Sequence, residues 1–148
     1  MSLFSLFQIS GSALTAERLR AEVATSNLAN SETTRTPEGG PYRRRMVLFQ
    51  SQPGARFHLL LANSLGETSA TVTGGVEADQ VVDDPTPPLL RYEPGHPDAD
   101  PSGYVAYPAI NPVQEMVDLM GAERAYELNA SAVQAAKQMI QQSLQILK

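Results

Sequence analysis

An apolar stripe of mostly small residues marks the N-terminal part of the chain. It consists of Ile9, Ala13, Ala16, Leu19 and Val23. These residues follow one another at spacings of four and three, which places them on one face of an α-helix. The polar stretch that begins at Ser31 and leads to Pro37 predicts that this helix ends near Asn30.

A longer apolar pattern marks the C-terminal part. Asn111 and Pro112 form an N-cap and a first helical residue, and Gln114 stands where a capping box places Glu or Gln. Beyond them a seam repeats at alternating spacings of three and four. The seam consists of Met116, Leu119, Glu123, Tyr126, Ala130, Val133, Lys137, Ile140, Leu144 and Leu147. This is a coiled-coil heptad pattern with two charged interruptions.

The segment between these helices has a different pattern. All 11 prolines lie between Pro37 and Pro112, and proline inside a helix costs about 3 kcal/mol. Short β-type runs at residues 42–50, 56–62, 68–73 and 76–82 predict two hairpins, one turning at Pro53-Gly54 and the other at Gly74-Gly75. Residues 83–88 and 94–101 are predicted to be proline-rich loops.

The sequence therefore predicts an α+β fold in three parts. Residues 1–31 form an N-terminal helix, residues 32–111 a small β-rich, proline-rich central domain, and residues 112–148 a C-terminal heptad helix. We expect the two terminal helices to pack as a coiled-coil-like pair. A helix from Pro112 to the last residue is about 54 Å long, so we also expect neighbouring subunits to cover its apolar end.

The charge of the chain and its distribution limit the classes of partner that the protein could bind. The net charge of −5 disfavours nucleic acid as a partner. Acidity is concentrated in residues 76–101, where the acids Glu77, Asp79, Asp83, Asp84, Glu93, Asp98 and Asp100 face one base, Arg91. The basic triplet of residues 43–45 is more typical of an edge strand or a protein contact than of nucleic-acid binding.

Candidate catalytic or cofactor chemistry is weak. The strongest metal-binding candidate is the run His96, Asp98 and Asp100, whose nitrogen and oxygen atoms are ligands that divalent metals bind. The prolines around this run indicate turns instead. No second cluster in the sequence supplies further ligands. His58 has no evident catalytic partner. There is no cysteine. We therefore predict no cofactor, no metal site and no catalysis.

Targeting signals are also weak. The apolar residues near the N-terminus are interrupted by Ser5, Gln8 and Ser10 and lack a basic preceding region, which is unlike a secretory signal. No apolar run reaches the roughly 18 residues of a membrane-spanning helix. We expect no cleaved signal peptide and no membrane span.

Several motifs resemble the flagellar basal-body rod family. Residues 9–20 are similar to its opening helix and residues 26–30 to its rod signature. Residues 34–44 are similar to the segment that sets the proximal-rod member apart from its paralogues. This signature consists of Thr34, Arg35, Thr36, Pro37, Gly39, Gly40, Pro41 and Tyr42. Residues 96–108, 115–118 and 124–127 also match, whereas residues 66–90 match poorly.

The resemblance implies a structural subunit of the bacterial flagellum. Copies of the chain and other rod proteins would stack helically, with terminal helices of the axial D0 type inside, to form the drive shaft that crosses the periplasm. The subunit would pass unfolded through the flagellar type III export apparatus. We expect the contacts between subunits to involve Ile9, Ala13, Ala16, Leu19, Val23, Asn27, Asn30, Met116, Leu119, Tyr126, Val133, Ile140, Leu144 and Leu147.

Two other classes of function stay open from the sequence alone. A helical binding module would share the amphipathic ends, and a small metal-dependent hydrolase would use His96, Asp98 and Asp100. The 34–44 segment distinguishes the first from a rod subunit, and metal content tests the second.

Overall fold

A computed structural model describes residues 3–51 and 74–146. Along these residues the elements are α1 (Leu3–Ala29), β1 (Arg45–Ser51), β2 (Val76–Asp83), β3 (Leu89–Tyr92), β4 (Tyr104–Tyr107) and α2 (Pro112–Ile146). Along the chain, one long helix precedes the small strands and another follows them, so the predicted α+β class is confirmed.

Helix α1 ends where the sequence predicted. The backbone N–H and the side-chain amide of Asn30 both donate to the carbonyl of Ser26, at 3.1 and 2.9 Å. These bonds satisfy a carbonyl of the last turn that has no partner further along a helix. The hydroxyl of Ser31 then donates to the carbonyl of Leu28 at 2.8 Å. The asparagine and serine after Ala29 thus close the helix with side-chain hydrogen bonds.

Helix α2 begins at the predicted cap. The side-chain oxygen of Asn111 accepts a hydrogen bond from the N–H of Val113 at 3.0 Å, and Pro112 is the first helical residue. Proline is tolerated there because its missing N–H would have had no helical acceptor. The 35 residues of α2 span about 52 Å at the usual rise per residue.

The strands form two small sheets in the described residues, β1 with β2 and β3 with β4. The predicted strands at 42–50 and 76–82 are confirmed with shifted ends. Those at 56–62 and 68–73, which are one strand of each predicted hairpin, lie outside the described residues.

The β3–β4 pair had not been predicted. It is antiparallel, with Leu89 opposite Tyr107 and Tyr92 opposite Tyr104. Each strand has only four residues and lies next to proline-rich loops, so its period-2 pattern is too short to stand out. The pair depends on Gly103, whose φ is +83° and where a Cβ would lie 2.8 Å from the ring of Tyr92. A side chain at residue 103 would therefore collide with the strand pair.

The chain divides into two compact units, one formed by residues 1–18, 49–79 and 123–148 and the other by residues 19–48 and 80–122. In the first, the described buried residues are small: Ser5, Ser10, Ala16 and Ala136. There the N–H of Val76 donates to the hydroxyl of Ser12 at 3.2 Å.

The second unit has larger buried side chains. Its apolar core consists of Ala24, Val105, Tyr107, Ile110 and Ala122. The same unit also buries the polar residues Asn27 and Glu115.

Within residues 3–51 and 74–146, neither helix is apolar enough over a sufficient length to cross a membrane.

Candidate functional site

A buried carboxylate lies at the centre of the second unit. The side chain of Glu115, in the first turn of α2, is 2% exposed. One of its oxygens accepts a hydrogen bond from Nε of Arg44 at 2.6 Å. Because a buried charge is stable only when it is paired and hydrogen-bonded, Arg44 is what permits a glutamate at this position.

Arg44 joins Glu115 to a wider charged cluster. Its terminal nitrogens lie 3.6 Å from a carboxylate oxygen of Asp118 and 3.9 Å from one of Asp84. Asp118 is also 3.5 Å from the guanidinium of Arg20 on α1. Within this unit, two arginines and three carboxylates connect α1, the chain before β1, the end of β2 and α2.

Asn27 connects the same carboxylate to the backbone. It is 1% exposed, and its amide nitrogen donates to Glu115 Oε2 at 3.0 Å and to the carbonyl of Arg45 at 2.8 Å. Its oxygen accepts from the N–H of Arg45 at 2.9 Å and from the hydroxyl of Tyr42 at 3.2 Å. The amide therefore donates two hydrogen bonds and accepts two, so none of its donors or acceptors is left unsatisfied. We call Asn27, Tyr42, Arg44 and Glu115 the polar junction.

The signature segment, residues 34–44, leads directly into the polar junction through a compact loop at residues 33–43, which we call the signature loop. The N–H of Tyr42 donates to the carbonyl of Thr33 at 3.0 Å, and the N–H of Thr36 donates to the carbonyl of Gly40 at 2.9 Å. Gly39 and Gly40 have φ angles of +89° and +79°, a region that side chains with a Cβ rarely adopt. The two glycines of the signature thus serve this turn.

The side of α2 that carries no buried residue has an unusual composition. Val113, Met116, Val117 and Met120 share one face, since they are spaced by three, four and seven residues. These residues are 68%, 50%, 57% and 58% exposed. We call these four residues the exposed apolar face. Contiguous exposed apolar residues of this size mark interaction sites in soluble proteins.

The residues predicted to contact other subunits have varied surroundings. Ala16 and Asn27 are buried, and Met116, Tyr126 and Leu144 are exposed. The half-buried ones are Ile9, Ala13, Leu19, Val23, Asn30, Leu119, Val133 and Ile140. Leu147 lies outside the described residues. Their role in subunit contacts stays a prediction.

Sequence reasoning missed Glu115 as a buried residue. The most buried positions of α2 are Glu115, Ala122 and Ala136, at intervals of seven and fourteen. This series is one residue out of register with the predicted seam at Met116 and Glu123. Small or charged residues carry little hydrophobic signal, and only the seven-residue spacing would have indicated them.

The candidate metal-binding residues take part in turn hydrogen bonds. His96 Nδ1 accepts from the N–H of Asp98 at 3.1 Å, and Asp98 accepts from the hydroxyl of Thr34 at 2.8 Å. Asp100 accepts from the N–H groups of Ser102 and Tyr104, both at 2.8 Å. The described residues contain no cluster of three His, Cys, Asp or Glu side chains that could hold a metal ion. His58 lies outside them.

Among the described residues, two ionisable groups, Asp84 and Tyr107, have shifted pKa values. The hydroxyl and the N–H of Thr86 donate to Asp84, and these bonds lower the pKa of that carboxyl below its ordinary 3.8. The hydroxyl of Tyr107 donates to Glu93 at 3.0 Å, and this bond raises the pKa of Tyr107 above 10.0. Both shifts reflect local hydrogen bonds that stabilise loops.

Two family models match the ends of the chain. The one described as "Flagella basal body rod protein" matches residues 7–35, and the one described as "Flagellar basal body rod FlgEFG protein C-terminal" matches residues 102–146. The first covers most of α1 and the start of the signature loop. The second covers β4 and α2.

Curated relatives match over the whole length. The flagellar basal-body rod protein FlgC of Bacillus subtilis is 42% identical, over 100% of both chains. That of Borreliella burgdorferi is 39% identical over 100% of this chain and 99% of its own, and that of Escherichia coli O6:H1 is 40% identical over 97% of both.

Neither the named relatives nor the family models belong to an enzyme family. Because full-length relatives are 39–42% identical to it, the chain belongs to the FlgC family of flagellar basal-body rod proteins, and it is a structural subunit of the rod.

Proposed function

We propose that this subunit forms part of the proximal rod, the segment of the drive shaft that transmits torque across the periplasm. The observation that carries the proposal is the row of large apolar side chains that α2 leaves exposed. Fully burying one such side chain contributes about 1.5–3 kcal/mol. A subunit packed among neighbours gains this energy, whereas an isolated one does not.

The terminal helices are the proposed assembly elements. We propose that α1 and α2 pair as a coiled coil of the axial D0 type and contact copies of the chain and other rod proteins. Small residues on α1, such as Ala16 and Ala24, allow a close approach between helices, and larger residues on α2, such as Tyr126 and Leu144, supply apolar area. The three-part division into residues 1–31, 32–111 and 112–148 then separates two assembly helices from a central domain.

The route and the partners follow from the same role. We propose that the chain passes through the flagellar type III export apparatus and joins the rod in the periplasm. Nucleic acid is not among its partners, because an overall charge of −5 opposes phosphate binding. The family likeness at both ends of the chain supports this route.

Substitution near the end of α2 tests the proposal. Leu144 is 61% exposed, so Leu144→Asp leaves the folded subunit largely intact while placing a charge where a neighbouring helix would pack. We expect Leu144→Asp and Ile140→Asp to abolish rod assembly and swimming in soft agar without reducing export. Basal bodies isolated from the variant strains would lack the subunit.

Gln145→Asp is the matched control, since it adds the same charge at an exposed polar position one residue away. We expect it to leave assembly and swimming unchanged. Normal rods containing Leu144→Asp and Ile140→Asp subunits would contradict the assembly role of this helix.

A further inference from the structure

The signature loop separates two clefts of the second unit. One, of about 500 Å³, is lined by Thr36, Glu38, Arg43, Arg45 and other residues of the loop. The second, of about 360 Å³, has a wall formed by residues 85–88, and Arg43 lines it too. Arg43 is therefore the charged residue of this loop that lines both clefts.

Arg43 differs from the other arginines around the loop. Arg35 lies 3.7 Å from Asp98, and Arg45 lies 3.7 Å from Asp83. Arg44 bonds to Glu115. Arg43 is exposed and has no ion pair or hydrogen bond in the part of the chain that the structure describes. Its guanidinium is thus available to an external carboxylate, which matches the planar fork of an arginine.

The loop that carries Arg43 is fixed before any partner arrives. The hydrogen bonds of Thr33, Thr36 and Tyr42 hold its backbone, and the hydroxyl of Thr34 is bound to Asp98 at 2.8 Å. A site built on a fixed loop loses little conformational entropy on binding.

Strand β2 carries carboxylates that lack partners. Glu77 and Asp79 are both exposed, and they lie on the same face because alternate residues of a strand point the same way. Neither has an ion pair or side-chain hydrogen bond in residues 3–51 and 74–146. The face is thus complementary in charge to Arg43.

We propose that Arg43 of one copy binds the Glu77 and Asp79 face of a neighbouring copy. This inference rests on the proposed assembly role and names a contact within it. The two surfaces differ, so the contact is heterologous: each copy offers one surface to the copy before it and the other to the copy after it. Heterologous contacts generate rings or helical arrays rather than closed two-fold dimers, as a shaft requires.

Cross-linking tests the contact, because the chain has no cysteine of its own. Cysteines placed beside the contact residues leave Arg43, Glu77 and Asp79 in place. A variant with both Glu38→Cys and Gln80→Cys, two exposed positions, assembled in basal bodies and treated with a bismaleimide, should give a ladder of dimers, trimers and larger species. Either single variant should give no ladder, and a rod built from a mixture of the two should give dimers only.

Charge reversal tests the same contact without cross-linking. Arg43→Glu should lower the amount of subunit in basal bodies by about tenfold, the factor lost with one charge-assisted hydrogen bond. Combining it with Glu77→Arg and Asp79→Arg should restore the amount. Arg43→Lys should give an intermediate amount, since lysine keeps the charge but not the fork.

The outcomes separate this contact from the proposed function. Rods that contain the double-cysteine subunit but give no ladder, or that cross-link it to another rod protein, would overturn the contact and leave the assembly role standing. Failure of the reversed charges to restore assembly, in subunits that keep wild-type unfolding midpoints, would overturn it as well. Absence of the wild-type chain from isolated basal bodies would instead refute the proposed function.

Discussion

The first three turns of α2 show two contrasting surfaces on one helix. One side buries the charge of Glu115 and, two turns further on, Ala122, and the other exposes Val113, Met116, Val117 and Met120. This reverses the usual distribution, in which apolar side chains face the core and charges face water. The polar side carries the hydrogen bonds that hold the fold of the subunit, and we propose that the apolar side contacts neighbouring subunits.

The largest expected effect comes from placing a charge on the exposed apolar face. Val117→Asp should abolish rod assembly and swimming, because a carboxylate buried against a neighbour without a partner costs far more than the lost apolar contact. The isolated subunit should change in stability by less than about 0.5 kcal/mol, as exposed substitutions usually do. Swimming assays and urea denaturation of the purified variant measure the two effects.

Gln114→Asp controls for added charge, because it changes an exposed polar residue of the same helix. It should assemble normally. If Val117→Asp subunits assembled equally well, the exposed apolar face would have no role in the rod.

The next effect concerns the buried carboxylate. Glu115→Gln removes the negative charge that pairs with Arg44 and turns one of its two acceptor oxygens into an N–H donor that faces the amide of Asn27. Breaking a buried ion pair costs about 3–5 kcal/mol. We expect the lower part of this range, since Arg44 is 23% exposed and keeps Asp118 nearby. Urea denaturation of the purified chain measures the loss. A change below about 1 kcal/mol would mean that the pair behaves like a surface salt bridge.

A smaller effect is expected at Asn27. Asn27→Ala removes the amide that donates to Glu115 and to the carbonyl of Arg45, which leaves buried groups unsatisfied at a cost of about 1–3 kcal/mol. Tyr42→Phe, which removes one hydroxyl from the same junction, should cost only about 1 kcal/mol. Urea denaturation compares the two, and equal losses would show that the amide has no special part.

The smallest effect is a dependence on pH. The pKa of Asp84 is lower in the folded chain than its ordinary 3.8, so the folded state binds protons less readily than the unfolded state. Its contribution to stability is complete above the unfolded pKa and is lost as the pH falls through the folded pKa. Asp84→Asn should therefore reduce the slope of stability against pH below about 4. Thermal denaturation between pH 2 and pH 5 measures this slope, and an unchanged slope would contradict the shift.

The sequence by itself determined the helices and the family. Proline is excluded from helix interiors, so the placement of the prolines located both helices, and the Asn111-Pro112 cap located the start of α2. These are local effects, in which a residue acts on neighbours within one turn. The signature motifs at residues 26–30 and 34–44 indicated the family for a different reason: they are unusual combinations of residues at fixed spacing.

Only the tertiary structure decided which side of α2 is buried. Glu115 has the sequence signature of a solvent-exposed residue, and its burial depends on Arg44 and Asn27, which lie 71 and 88 positions away along the chain. The β3–β4 pair likewise depends on contacts between four-residue strands and on the space left by Gly103. Such partners are brought together by folding, so no local pattern of hydrophobic and polar residues could reveal them.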